Sequence, residues 1–278
     1  MAKSRQDIKV IGHRGCVLEP ENTLPAFRYA LEHGADGIEF DVQLTSDNVP
    51  VIIHDEMVDR TTDGEGPVSG FTLQQIRTLK VKYADGRIAD EVVVPTLEEV
   101  LGLVEEFRSQ RQLTINVEIK SLGAAPKTME CLKYYVSKKG WNYDDFLVSS
   151  FIHDELRFVK REAPEFPLGV LYEPEDEPTL AEIVEELAPY SINPSITELK
   201  SKICDPGSFG RPMICWIGGE KPYPDNMAGI LKAIEKGAEV IITNYPKEVK
   251  EAILSKEYKS VEQCNRQSHV LSGSRGCY

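Results

Sequence analysis

The sequence predicts an α/β fold: a (β/α)8 TIM-type barrel with a small insertion after the second barrel strand. Three observations carry that prediction. Short β-rich apolar runs alternate with helical patterns along the chain, which calls for parallel strands with helical crossovers. There are nine such runs, but the second and third are separated only by Thr45-Ser46-Asp47-Asn48. Parallel neighbours need a dozen or more connecting residues, so this turn makes the third run the return limb of a hairpin and leaves eight βα strands. Finally, several of the runs end in ionisable or aromatic side chains, as the strands of a closed barrel do at its functional mouth.

The elements follow in order. The run Ile8–Gly12 leads to His13-Arg14-Gly15, and a helix is expected over Leu24–Glu32, opened by Thr23 and closed by Gly34. Gly37–Val42 and Val49–Ile53 form the hairpin limbs. Residues of about 55–95 hold the Gly/Pro-rich RTTDGEGPVSGFT and the helical-looking LQQIRTLKV; a segment this long between barrel elements predicts an ordered insertion capping one end of the barrel. Beyond it, helices are expected at Thr96–Phe107, Ala125–Lys138, Asp154–Arg161, Leu180–Leu187, Asn226–Lys236 and Lys247–Leu254, with Thr96 and Thr179 as caps and Gly237 as a left-handed stop. Strands are expected at Leu113–Ile119, Phe146–Ser149, Pro167–Tyr172, Tyr190–Asn193, Met213–Ile217 and Val240–Thr243. The organisation is one catalytic barrel domain over 1–256 and a polar, Gly/Ser-rich C-terminal tail over 257–278 with no assigned role.

Composition limits the function. A chain of 278 residues buries a substantial core, and 41% hydrophobic with 28% charged residues is ordinary for a globular protein. A net charge of −13 argues against nucleic acid as a partner, since phosphate backbones need a basic surface, while a local cation still allows a small anionic ligand. The start Met1-Ala2-Lys3-Ser4 lacks a signal-peptide pattern and no stretch is apolar enough to span a bilayer, so a cytoplasmic location is expected. The six scattered cysteines, without a CxxC pair, read as reduced thiols.

The polar residues at the strand ends point to chemistry. Glu39 and Asp41 alternate with Ile38, Phe40 and Val42, so both carboxylates lie on one face of the second strand. Glu118 and Lys120 share a face in the same way, His54-Asp55 follow the hairpin, and Trp216 ends the penultimate barrel strand. Singly, each has a plain structural explanation: a solvated face, a strand-end cap, a satisfied core histidine, a packed indole. Together, five exits bearing such groups would converge at one mouth. Glu39, Asp41 and Glu118 offer hard oxygen ligands suited to Mg2+ or Ca2+ rather than zinc. His13 and His54 beside such a cation supply a general acid and a general base. Arg14 and Lys120 suit an anion whose charge grows in the transition state. Phosphodiester cleavage matches this set best; acyl transfer lacks a nucleophile elbow, and a metal-dependent sugar isomerase is the runner-up.

These residues also resemble a known family. His13-Arg14-Gly15, Glu21-Asn22-Thr23, Glu39-x-Asp41-Val42, Thr45-x-Asp47, Val51 to His54-Asp55, Arg60-Thr61-Thr62 with Gly64, and Glu118-x-Lys120 look like the ordered motifs of the glycerophosphodiester phosphodiesterases. These belong to the phosphatidylinositol-phospholipase-C-like superfamily of TIM barrels. The resemblance implies a divalent cation, Mg2+ or Ca2+, on Glu39, Asp41 and Glu118, acid/base work by His13 and His54, and substrate contacts from Arg14, Lys120 and Trp216. It implies a small phosphodiester substrate of the glycerophosphocholine or glycerophosphoethanolamine class, cleaved to glycerol 3-phosphate and an alcohol, with the glycerol 2-hydroxyl as nucleophile through a cyclic phosphate. Two features depart from the pattern: Ile217-Gly218-Gly219-Glu220 follows the late tryptophan where Thr-x-Asn is usual, and Asn244 stands where aspartate is common. Phospholipase D-like action on lysophospholipids and a catalytically silent phosphodiester-binding barrel are the alternatives. The Arg-Thr-Thr segment and the long insertion favour the first reading.

Overall fold

The structure is a computed structural model that describes residues 7–173, 177–196, 209–217 and 227–255. The 257–278 tail, Cys204, Cys264, Cys277 and most of the Ile217–Asn226 loop lie outside the described residues.

Eight parallel strands close into a barrel: β1 (Lys9–Gly12), β2 (Gly37–Leu44), β4 (Thr114–Ile119), β5 (Phe146–Ser150), β6 (Leu168–Leu171), β7 (Ser191–Asn193), β8 (Met213–Trp216) and β9 (Ala238–Thr243), with β9 and β2 both pairing with β1. β3 (Pro50–Ile52) is antiparallel to β2, pairing Val42 with Ile52 and Leu44 with Pro50, so the hairpin rises from the second barrel strand as its short turn requires. Helices α1 (Leu24–Glu32), α3 (Leu97–Arg108), α4 (Ala125–Lys139), α5 (His153–Glu162), α6 (Glu177–Leu187), α7 (Met227–Glu235) and α8 (Pro246–Leu254) follow the strands; α2 (Leu73–Ile76) belongs to the insertion.

The pleat divides each strand. Ile38, Phe40 and Val42 of β2 join Phe27, Leu31, Leu97, Leu101 and Val117 in the core between barrel and helices. Ile11, Leu147, Ile214, Val240 and Ile242 form a second cluster with Trp216. Residues that alternate with the β2 core set, Glu39 and Asp41, therefore take the inward face. In register with them lie Asn116 opposite Glu39 and Glu118 opposite Asp41 on β4.

Between β3 and α3 the insertion has its own core of Val51, Ile53, Val58, Val68, Ile76, Val81 and Val94. Its helical-looking stretch is a single turn, α2, held by a reciprocal cap between Thr72 and Gln75. Thr96 caps α3 through the same device with Glu99, as expected. Two expected caps differ. Thr23 has the extended conformation of a cap but donates its hydroxyl to Pro20 O at 2.6 Å. Thr179 lies inside α6, which begins at Glu177-Pro178, because proline is tolerated in a first turn that has no use for its N–H. Among the described residues no helix is long and apolar enough to cross a membrane. Cys16 and Cys131 are free thiols.

Candidate active site

The first strand ends at Gly12, and the next residues turn sharply with positive φ at Arg14 (49°) and Gly15 (88°). A side chain at Gly15 would place its Cβ 2.5 Å from the Ala26 backbone, so only glycine lets this loop pack on α1. The turn aims His13 and Arg14 into the barrel mouth. Arg14 N donates to Glu39 Oε2 at 2.9 Å, its Nη1 to Glu21 Oε1 at 2.9 Å, and its Nε lies 3.4 Å from Asp41 Oδ2. Asn22, also at positive φ, donates Nδ2–H to Asp41 Oδ2 at 2.8 Å.

His13, Arg14, Glu39, His54, Glu118, Lys120 and Trp216 line one cavity of roughly 370 Å3, with Asn116, Phe151 and Leu171 among its other walls. Asp41 sits outside that wall, buried behind Arg14 and Asn22. One carboxylate oxygen from each of Glu39, Asp41 and Glu118 lies within 4.8 Å of the others. Every residue singled out from the sequence thus reaches one place.

The two histidines are held differently. His13 Nδ1 meets Asn244 Oδ1 at 2.6 Å, which puts the proton on Nδ1 and leaves Nε2 facing Glu39, 4.0 Å away. His54 Nδ1 donates to Asp55 Oδ1 at 2.6 Å, and its Nε2 accepts from Lys120 Nζ at 3.2 Å. Gln43 fixes the backbone beneath His54 by donating to the carbonyls of Ile53, His54 and Asp55. Trp216 donates Nε1–H to Asn193 O at 3.1 Å and turns its ring edge-on to Phe151, over which Lys120 Nζ also lies, 5.5 Å from the ring centre.

Burial and the neighbouring Arg14 charge lower His13 to a pKa of about 4. Burial also lowers His54, helped by Arg14 and Lys120 against the pull of Asp41. Burial and the charges of Asp41 and Glu118 push Glu39 well above the carboxylate range, and burial with Asp41 raises Glu118 to about 7. Burial would raise Asp41 too, but Arg14, His54 and Lys120 outweigh it and hold Asp41 low. For Lys120 the Glu118 and Asp41 charges overcome burial and keep the ammonium protonated.

This cluster fits a divalent cation. Glu39 Oε1 is buried without a hydrogen-bond partner, and burial together with the neighbouring negative charges raises the pKa of two of the three carboxylates, a strain that a cation would relieve. An all-oxygen donor set of three carboxylates suits a hard ion such as Mg2+ or Ca2+.

Sequence reading left several contributors without a role: Glu21, Asn22, Gln43, Asp55, Arg60, Asn116, Phe151 and Asn244. Gln43 and Asn116 carried a usable signal, since each continues the period-two inward pattern of Glu39-x-Asp41 or Glu118. Phe151 follows β5 directly and had no polar pattern to mark it.

Comparison with known proteins agrees with this geometry. Residues 13–247 match the model of the glycerophosphoryl diester phosphodiesterase family. A glycerophosphodiester phosphodiesterase from Caldanaerobacter subterraneus subsp. tengcongensis is 36% identical over 253 residues, covering 85% of this chain and 94% of that relative. A phosphodiesterase from Oleispira antarctica, solved in complex with the product sn-glycerol-3-phosphate, superposes with a TM-score of 0.73 at 25% identity, over 91% of this chain and all 100% of that one. A glycerophosphodiester phosphodiesterase from Agrobacterium tumefaciens superposes with a TM-score of 0.68 at 27% identity, over 86% of this chain and 97% of that one.

Proposed function

The chain belongs to the glycerophosphoryl diester phosphodiesterase family and is an enzyme of that activity, and from this premise we propose how its own residues carry out the hydrolysis. The substrate is a glycerophosphodiester of the glycerophosphocholine or glycerophosphoethanolamine class, and the products are glycerol 3-phosphate and the free alcohol. Arg14 and Lys120 hold the phosphoryl oxygens. Glu39, Asp41 and Glu118 would hold one Mg2+ or Ca2+. A cation bound there supplies fixed positive charge for the phosphoryl oxygens and the attacking hydroxyl.

The division of labour between the histidines follows from what stands behind each ring. His54 rests on the carboxylate of Asp55, which stabilises the imidazolium formed when Nε2 accepts a proton. His54 therefore deprotonates the glycerol 2-hydroxyl, which attacks phosphorus. His13 rests on the neutral amide of Asn244. With the diester bound, His13 carries a proton on Nε2 as well as on Nδ1, gives the Nε2 proton to the departing alcohol and takes one back from the water that opens the cyclic phosphate, while His54 returns its proton to the glycerol 2-oxygen. The single observation that supports this reading most is that His13 and His54 line one cavity together with Glu39 and Glu118 of the carboxylate cluster.

The test is release of glycerol 3-phosphate from both substrates with Mg2+, with Ca2+ and with chelator, for the wild type and for His13→Ala and His54→Ala. Each variant should lose about 10²–10⁴ in kcat. A diester with an aryl leaving group, which departs without a proton, should restore His13→Ala far more than His54→Ala. Wild-type turnover in either variant, or undiminished release with chelator, refutes the assignment.

A further inference from the structure

The Arg-Thr-Thr segment of the insertion takes no part in the chemistry above, yet its arginine closes a ring of side chains around the mouth. Arg60 Nε and Nη2 donate to Asp55 Oδ2 and Oδ1 at 2.6 and 3.0 Å. Its Nη1 and Nη2 donate to Glu21 Oε2 and Oε1 at 2.7 and 2.8 Å. Asp55 Oδ1 also accepts from His54, whose far nitrogen meets Lys120, itself 3.0 Å from Glu118. On the other side Glu21 Oε1 also accepts from Arg14. One guanidinium thus joins the phosphate-side arginine to the carboxylate behind His54.

The segment is built to hold it there. Thr62 is fully buried; its hydroxyl donates to Val58 O at 2.8 Å and accepts from Gly64 N at 3.1 Å, while Lys82 N donates to Thr61 O at 2.8 Å. Arg60 leaves this anchored turn toward the β1 and β3 ends.

We propose that Arg60 is a positioning residue for the reaction: by gripping Asp55 and Glu21 together, it docks the insertion on the barrel mouth and fixes the ring of His54. The inference rests on the assignment of His54 as base. A single exposed ion pair would stabilise little, but here both carboxylates are gripped by a two-pronged fork and share one cation. Asp55 accepts from two neighbours whose directions leave its carboxylate one orientation, and His54 Nδ1–H has that oxygen as its acceptor. Direct binding of the substrate phosphate by Arg60 is the competing role. Its charge is already met by two carboxylates and the Nε, Nη1 and Nη2 groups are all engaged, so little is left to offer an anion.

The test is a double-mutant cycle on glycerophosphocholine hydrolysis with saturating cation, using Arg60→Ala, His54→Ala and the pair. Arg60→Ala should lower kcat about 10–100-fold with KM within about twofold, as loss of a partner behind a working histidine does. Millimolar guanidinium should restore part of that loss, and ammonium at equal ionic strength should not. In the His54→Ala background the same substitution should cost less than about twofold, because the group it orients is gone. If Arg60→Ala does not fold, Asp55→Asn keeps the Arg60–Glu21 pair and should show the same loss of effect without His54. An equal cost in both backgrounds, or a raised KM with unchanged kcat, overturns this inference alone. Full turnover in His54→Ala overturns the assignment of the base, and this inference with it.

Discussion

Replacing Glu39 by glutamine should make the cation-free protein more stable and abolish its response to the cation. The oxygens of Glu39, Asp41 and Glu118 lie within 4.8 Å of one another. At an effective dielectric constant of about 20, two unit charges at that distance repel by about 3.5 kcal/mol. Neutralising Glu39 removes its share of that repulsion but weakens the bond it accepts from Arg14 N, from a charge-assisted one to an ordinary one, at a cost of about 1 kcal/mol. The net gain of about 2.5 kcal/mol corresponds to a melting temperature higher by about 5–10 °C for a chain of this size. The wild type, in contrast, should gain about 2.7 kcal/mol, or about 5–10 °C, from a cation at about a hundred times its Kd. The assay is thermal unfolding at about pH 9, where Glu118, raised to about 7, is ionised, in chelator and then in Mg2+ or Ca2+. If Glu39→Gln melts below the wild type in chelator and keeps the full cation shift, the cluster is not a cation site.

Two further outcomes follow from the same contacts. Burial would raise the pKa of Glu21, but the hydrogen bonds and charges of Arg60 and Arg14 outweigh it and hold it at about 2. A depressed carboxylate contributes stability above its ordinary value and loses it as pH falls through the folded value. Between about pH 4.5 and 2 the wild type should therefore lose up to about 3 kcal/mol that Glu21→Gln does not, and parallel acid-unfolding curves for the two would refute this. Gln43→Leu strips three carbonyls beneath His54 of their donor and should cost about 1–3 kcal/mol, with kcat falling more than KM rises; a variant that melts and turns over like the wild type would show that Gln43 does not hold that loop.

Much of the site was legible because strand periodicity and strand ends are local properties. Glu39-x-Asp41 and Glu118-x-Lys120 declared their faces through the apolar residues between them, and Thr45-Ser46-Asp47-Asn48 declared a hairpin through its length alone. What could not be read depends on the closed barrel. Glu21 and Arg60 are 39 positions apart in different loops, and His13 and Asn244 are 231 apart across the seam where β1 pairs with β9. Closure creates these partnerships, so their residues showed only as motif fragments or as a departure from a pattern. The caps failed for a local reason. Thr23 has the right residue type, yet its hydroxyl bonds the nearby Pro20 carbonyl instead, and Thr179 falls inside α6, which begins two residues earlier at Glu177.

The same closure explains how a chain of net charge −13 admits an anion. The linked network of ion pairs and buried carboxylates holds five carboxylates (Glu21, Glu39, Asp41, Asp55, Glu118) and three permanent cations (Arg14, Arg60, Lys120), a formal excess of two negative charges. Glu21 and Asp55 share Arg60, which leaves one negative charge there, and the other falls on the buried cluster, where burial and the neighbouring carboxylates raise the pKa values of Glu39 and Glu118. A phosphodiester adds one more negative charge, and Arg14 and Lys120 are already turned toward Asp41 and Glu118. A divalent cation on the cluster would cancel the formal excess and free the two side chains for the substrate. Cation and diester should therefore each strengthen the binding of the other, by the same factor whichever is added first. On the proposed assignment, the acidic cluster and the basic pair are one device: without a cation, the carboxylates that would hold it instead occupy Arg14 and Lys120, the groups proposed for the phosphate.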